Sequence, residues 1–252
     1  MSIAIRKPEE IEMLAKANSI VAQTISLLKK EAKPGISLLE LDKMAEDFIC
    51  SQDARPAFKG LYGFPNAICT SVNEVIIHGI PSTYQLKEGD ILGVDIGTEY
   101  HGWYGDAAAT FGIGEVSAGN QKLMACSEDA LLFAIDKIRE GMRFKELSHM
   151  IEQFILQRNF VPLHGFCGHG IGRRPHEEPE IPNYLEGSNY KQGPKIREGM
   201  VFCIEPMICQ KSSEAKILSD RWAVVSRDGL NGSHHEHAVA IIKGRAEILS
   251  KE

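Results

Sequence analysis

The chain has 252 residues, 43% of them hydrophobic, which is enough to bury a sizeable core and too much for an intrinsically disordered chain. A formal net charge of −6, with Lys and Arg scattered and no basic run, argues against a phosphate-backbone binder, so nucleic acid is not an expected partner. No window reaches the roughly 18 apolar residues of a membrane span, the start MSIAIRKPEEIEML has neither a signal-peptide core nor an Arg-rich transit pattern, and the six cysteines form no CxxC pair; together these predict a cytoplasmic protein with reduced thiols.

From Glu9 to Lys30 the residues Ile11, Leu14, Val21, Ile25 and Leu28 recur at helical spacings, which predicts an amphipathic helix entered through Pro8 and stopped at Lys33-Pro34-Gly35. A second helix is predicted from Leu38 to about Cys50. Between Ala67 and Pro81 the period changes around the β-branched run Val75-Ile76-Ile77, and Asp90 to Gly97 reads as a buried strand. With Gly102 between them, Val94-Asp95-Ile96-Gly97 and Gly105-Asp106 predict a hairpin in which Asp95 and Asp106 face one another across the ladder. Helices return at about Gln121–Arg139 and Phe144–Arg158.

Two stretches repeat. Glu88 to Asp95 lines up with Glu198 to Glu205, and Lys33 to Leu41 echoes Arg139 to Leu147, in the same order and at nearly the same offset. The halves, roughly 9–112 and 119–245, share one plan of helix, glycine turn, helix and strands ending in a carboxylate. No linker separates them, so one domain over 1–252 is expected, with Asp95 and Glu205 converging at its centre.

Two adjacent carboxylates repel unless a proton or cation lies between them. Glu205 sits in the apolar string Met200 to Ile208, and Glu236 opens another apolar strand, where an unpaired charge is costly. His169 lies among glycines in Cys167-Gly168-His169-Gly170-Ile171-Gly172, with His176-Glu177-Glu178-Pro179 following. Asp95, Asp106, His169, Glu205 and Glu236 thus offer four carboxylates and one imidazole, a charge that two divalent cations balance. The oxygen-rich set favours Mn²⁺, Fe²⁺, Co²⁺ or Zn²⁺ over a thiolate site, and paired metals suit hydrolysis.

These motifs, together with Ser71-Val72-Asn73-Glu74, His78-Gly79-Ile80-Pro81, Ile204-Glu205-Pro206 and Glu236-His237, resemble the type I methionine aminopeptidases in order and spacing over nearly the whole chain. The resemblance implies an α/β pita-bread fold, two pseudo-twofold-related halves with a central antiparallel sheet covered by helices. It implies a dinuclear metallo-hydrolase that removes N-terminal methionine ahead of a small second residue, by attack of a water held between the metals. Carried over, Asp106 and Glu236 bridge the two ions, Asp95 completes one, and His169 and Glu205 complete the other. His176 would donate to the substrate carbonyl, His78 would contact the amide nitrogen at the scissile bond, and Glu205 would shuttle the proton. The methionine pocket falls on Phe58, Leu61, Phe64, Cys69 and Trp222. Leu61 and Phe64 stand where tyrosines are common, Pro175 where phenylalanine is, and His235 where an aromatic residue is. Xaa-Pro aminopeptidases and prolidases share fold and ligands but usually carry a large preceding domain, and type II methionine aminopeptidases usually carry an insertion between the last two glutamates, where only 30 residues stand here. A non-catalytic pita-bread module is the other alternative. Implied partners are a nascent polypeptide N-terminus and a transient ribosome encounter, with the chain a monomer.

Overall fold

The structure, a computed structural model, describes residues 3–251. Helix α1 (Pro8–Glu31) begins at the proline, where Glu10 Oε2 accepts the Lys7 N–H at 2.9 Å. Helix α2 (Leu38–Ser51) starts on a capping box: Ser37 Oγ accepts the Glu40 N–H at 3.2 Å, and the Glu40 carboxylate accepts that of Ser37 at 2.8 Å. The first strands are β1 (Arg55–Pro56), β2 (Cys69–Val72), β3 (Val75–Ile77), β4 (Ile91–Tyr100) and β5 (Trp103–Gly112). Helix α3 (Ala118–Lys137) opens three residues before its predicted start, because Ser117 Oγ caps it by accepting the Asn120 N–H at 3.2 Å. After α4 (Phe144–Leu156) come β6 (Val161–Pro162), β7 (Cys167–Gly170), β8 (Glu177–Pro182), β9 (Val201–Ile204), β10 (Met207–Cys209), β11 (Ala215–Ile217), β12 (Val224–Ser226), β13 (Gly232–His234), β14 (Glu236–Ile242) and β15 (Arg245–Ile248).

Among the described residues nine strands form one antiparallel sheet in the order β1-β4-β5-β14-β9-β7-β8, with β2 also on β4 and β15 also on β14. Its two halves have separate cores. Leu92, Val94, Ile96 and Phe111 pack with Val21 and Leu28 of α1 and Leu41 of α2, and Phe202, Ile204, Val239 and Ile241 pack with Leu131 of α3 and Leu147 and Ile151 of α4. Each such aliphatic side chain removed from water contributes about 1.5–3 kcal/mol, so the apolar strings that repeat in the sequence are what seat the helices.

Some backbone hydrogen bonds fall at matching glycines. Gly35 N–H donates to Leu86 O, and Gly141 N–H to Ile196 O, both at 2.8 Å. Gly89 N–H reaches Ile113 O at 2.9 Å as Gly199 N–H reaches Ile241 O at 3.0 Å. Val94 lies opposite Ala109 as Ile204 lies opposite His237, and the halves meet where β14 pairs with β5 at Glu236 and Ala108.

One expectation needs correction. Asp95 pairs with Ala108 and Asp106 with Gly97, so the two aspartates are diagonal neighbours and not direct partners. His101 and Gly102 both take left-handed backbone angles, with φ of 51° and 79°, and make a two-residue turn that shifts the pairing by two residues from the expected one, which keeps both aspartates on the same face. Both aspartates still line the same cavity. Among the described residues no helix is long and apolar enough to cross a membrane, and all six cysteines are free thiols.

Candidate metal centre

Five consecutive strands of the sheet, β4-β5-β14-β9-β7, each deliver one ionisable side chain to one place: Asp95, Asp106, Glu236, Glu205 (immediately after β9) and His169. On β4 the alternation of the pleat sends Leu92, Val94 and Ile96 under α1 and α2, while Asp95 faces the cavity. Asp106 is held from behind by Asn18 of α1, whose Oδ1 accepts the Asp106 N–H at 3.1 Å while its amide donates to Leu14 O at 2.9 Å. The glycines around His169 have a steric reason. A Cβ at Gly168 would lie 2.4 Å from Cys203 O and one at Gly170 would lie 2.1 Å from Glu178 O, so β7 can wedge between its neighbours only without side chains there.

His169 Nε2 stands 3.5 Å from Glu205 Oε1 and 3.9 Å from Asp106 Oδ2. Its Nδ1 lies 3.1 Å from Gly170 O, which places the proton on Nδ1 and turns the Nε2 lone pair into the cluster. Donor atoms of Asp95, Asp106 and Glu236 lie within 4.8 Å of one another, as do those of Glu205, His234 and Glu236 and those of His169, Cys203 and Glu236. Asp95 Oδ1, Asp106 Oδ1 and Glu236 Oε1 are buried without a hydrogen-bond partner among the described residues. Burial pushes the Asp95 carboxyl up to about 7 and, with repulsion from the other carboxylates, pushes Asp106, Glu205 and Glu236 well above their ordinary range. Burial holds His169 down to about 3, so it is a neutral imidazole at pH 7. Orphaned carboxylate oxygens in hard-donor spacing fit divalent cations.

His176, in the loop between β7 and β8, stands edge-on to His169 with ring centroids 4.5 Å apart, and Tyr62 stacks on it at 6.1 Å. Glu177 fixes that loop: its Oε1 accepts the N–H groups of Arg173 at 2.9 Å and Arg174 at 3.2 Å, and its other oxygen pairs with Arg6. His78 takes a left-handed backbone, φ 58°, and packs edge-on against Phe166 at 5.7 Å. Burial lowers His78 to about 4 and lowers His176 as well, leaving both neutral donors near pH 7.

These groups open into a cavity of about 510 Å³. All five proposed pocket residues, Phe58, Leu61, Phe64, Cys69 and Trp222, line it, with Phe64 edge-to-face on Trp222 at 5.1 Å. Pro175 and His235 are not among the lining residues; His235 turns away to Ser127 Oγ, 2.7 Å from its Nδ1. Three features escaped sequence reasoning. Asn18 hides in the apolar stripe of α1, and Tyr62 is an ordinary loop aromatic until it is seen over His176. His234, 4% exposed by side chain and 3.7 Å from Glu205, had a usable signal: it stands two residues before Glu236, the spacing that shares a face in extended chain.

The model of metallopeptidase family M24 matches residues 12–243. The methionine aminopeptidase of Helicobacter pylori strain 26695 is 62% identical over 252 residues, all of both chains, and that of Clostridium perfringens 42% identical over 98% of each. The crystal structure of a methionine aminopeptidase from Thermotoga maritima superposes with a TM-score of 0.96 at 36% identity, covering 100% of both chains. A prolidase from Pyrococcus furiosus shares the fold at a TM-score of 0.80 and 24% identity, but this chain spans only 65% of it. The antiparallel sheet covered by helices α1 to α4 is therefore the pita-bread fold of these enzymes. With a family model matched over most of its length and full-length relatives at 62% and 42% identity, the chain belongs to metallopeptidase family M24, among the methionine aminopeptidases.

Proposed function

We propose that the chain releases N-terminal methionine from nascent polypeptides and peptides, as one catalytic domain of two related halves working on a pair of divalent cations. Membership of family M24 carries the requirement for divalent metal; two ions, drawn from Mn²⁺, Fe²⁺, Co²⁺ or Zn²⁺, are the reading of the donor set. The observation that carries it is the convergence of four buried carboxylates and one neutral imidazole from five adjacent strands on the floor of a cavity with an apolar wall.

Asp106 and Glu236 would be shared between the cations, with Asp95 on one side and His169 and Glu205 on the other. When bound, the cations supply a water that ionises near neutral pH and polarise the scissile carbonyl. The protein's own groups do the rest. Glu205 accepts the proton of the attacking water and passes it to the leaving amine. Neutral His176 donates to the carbonyl oxygen as it gains charge, and neutral His78 donates to the substrate at the scissile amide. Phe58, Leu61, Phe64, Cys69 and Trp222 enclose the methionine side chain, where aromatic edges suit a polarisable thioether. A free substrate α-amine held at the carboxylate cluster would restrict the enzyme to the first residue of the chain. Work on nascent chains places the protein in the cytoplasm, as a monomer meeting the ribosome transiently.

The test is methionine release from Met-Ala-Ser by metal-stripped protein reconstituted stepwise with Mn²⁺ or Co²⁺, beside an Ala-Pro-Ala control. Metal-dependent release from the first peptide only is expected. Cleavage of the proline peptide alone would assign the chain to the prolidase side of the fold.

A further inference from the structure

We infer that His234 is a positioning residue that donates its Nε2–H to Glu205 and fixes how that carboxylate is presented, an inference that rests on the cation-pair reading above. The His234 side chain is 4% exposed, and its Nε2 has no hydrogen-bond partner among the described residues. That atom points into the gap between two carboxylates, 3.7 Å from Glu205 Oε2 and 4.0 Å from Glu236 Oε2.

Glu205 is thereby bracketed by two imidazoles, His169 facing Oε1 at 3.5 Å and His234 facing Oε2 at 3.7 Å. The two rings have different jobs because their tautomers differ. His169 spends its proton on Gly170 O through Nδ1 and offers a lone pair to the cluster. His234 Nε2 meets carboxylate oxygens on two sides, where a lone pair would face negative charge twice, so the proton belongs on Nε2. The backbone of His234 is pinned to β5: Thr110 Oγ1 accepts its N–H at 3.0 Å and donates to its carbonyl at 2.8 Å. Only side-chain rotation remains, and a small swing closes the gap to a charge-assisted hydrogen bond of about 2.8 Å. With Oε2 tied, Oε1 is the oxygen left to face His169 and the reacting water. A carboxylate that must both hold a cation and move a proton needs this division, since a freely rotating group would exchange its two oxygens.

The test compares wild type with His234→Gln, which keeps an N–H donor of similar reach, and His234→Leu, which keeps volume and loses the donor. Mn²⁺ affinity and stoichiometry are measured by calorimetry, coordinated imidazole nitrogens by electron spin-echo modulation of the Mn²⁺-loaded proteins, and kcat and KM on Met-Ala-Ser. His234→Leu is expected to weaken Mn²⁺ binding about 10–100-fold and to lower kcat more than it changes KM. His234→Gln should restore both, with the nitrogen modulation unchanged in all three. Loss of an imidazole coupling in both variants would make His234 a ligand and overturn the proposal, as would three indistinguishable proteins. Should His234→Leu fail to fold, the ¹⁵N spectrum of the Zn²⁺-loaded wild type decides: an Nε2–H tautomer at His234 supports the proposal and an Nδ1–H tautomer sinks it. A wild type that binds no Mn²⁺ would instead overturn the cation-pair reading itself.

Discussion

His176 and Asp106 sit in one cavity, yet their removal should read out differently. His176 lies beside the cluster as a neutral N–H donor 4.5 Å, ring to ring, from His169. His176→Ala should therefore leave metal stoichiometry unchanged and lower kcat about 10²–10³-fold, the usual loss for one donor to a developing oxyanion. Full turnover in that variant would remove the assigned role. Asp106 is different, since it is buried beside Glu236 and Asp95 and offers an oxygen with no hydrogen-bond partner among the described residues. Asp106→Asn should abolish tight binding of the metal pair, read as loss of bound Mn²⁺ after desalting; retained stoichiometry would show that Asp106 does not hold the pair together. The candidate ligand positions could be picked out in the sequence because a carboxylate in an apolar string is a contradiction that asks for a partner, as at Glu205 and Glu236. His234 was not read because it lies in the polar run Gly232-Ser233-His234-His235, where a histidine raises no contradiction until the opposing carboxylates are placed.

At the scale of elements, the segment leading into α1 reaches across the molecule to the His176 loop. Arg6 N–H donates to Gly199 O at 2.7 Å, its guanidinium lies 5.7 Å from the centre of the Trp103 ring, and it pairs with Glu177, whose other oxygen holds the Arg173 and Arg174 amides. The pair is almost closed to solvent, 11% and 10% exposed by side chain, so removing one partner strands a buried charge. Arg6→Met should cost about 3–5 kcal/mol, which at about 2–4 °C per kcal/mol for a chain of this size is a fall in melting temperature near 10 °C. If the latch also aims His176, kcat falls and metal stoichiometry does not; a lower melting temperature with unchanged kcat would make it structural only. The long elements, α1, α2, α4 and the β4–β5 hairpin, were readable from period and capping residues. The three-residue strands β10 to β13 were not, because each is too short to show a period and exists only by pairing with distant partners such as Ile77 and Val224.

For the whole molecule the centre is also the seam: Asp95 and Asp106 come from one half, Glu205 and Glu236 from the other. Without cations, ionising these carboxylates beside one another costs stability, and the pH dependence of that cost has a definite sign. Asp95 is raised from its ordinary 3.8 to about 7, and Asp106, Glu205 and Glu236 shift the same way, so the folded chain binds protons that the unfolded chain releases. Metal-free stability is therefore lost as pH rises from the ordinary carboxylate range through 7 and beyond. His169, His234 and His235 work in the opposite direction: depressed from 6.5 to about 3, they add stability as pH climbs toward 6.5 and nothing above it. Above 6.5 the carboxylates act unopposed by those three rings. Calorimetric melts of chelator-treated protein between about pH 6.5 and 8.5 should show a falling melting temperature, while Mn²⁺-loaded protein, whose carboxylates stay ionised against the cations, should not follow it. The gap between the two curves should widen with pH. Parallel curves would mean that the four carboxylates do not share one set of cations, and that the seam between the halves is held by packing alone.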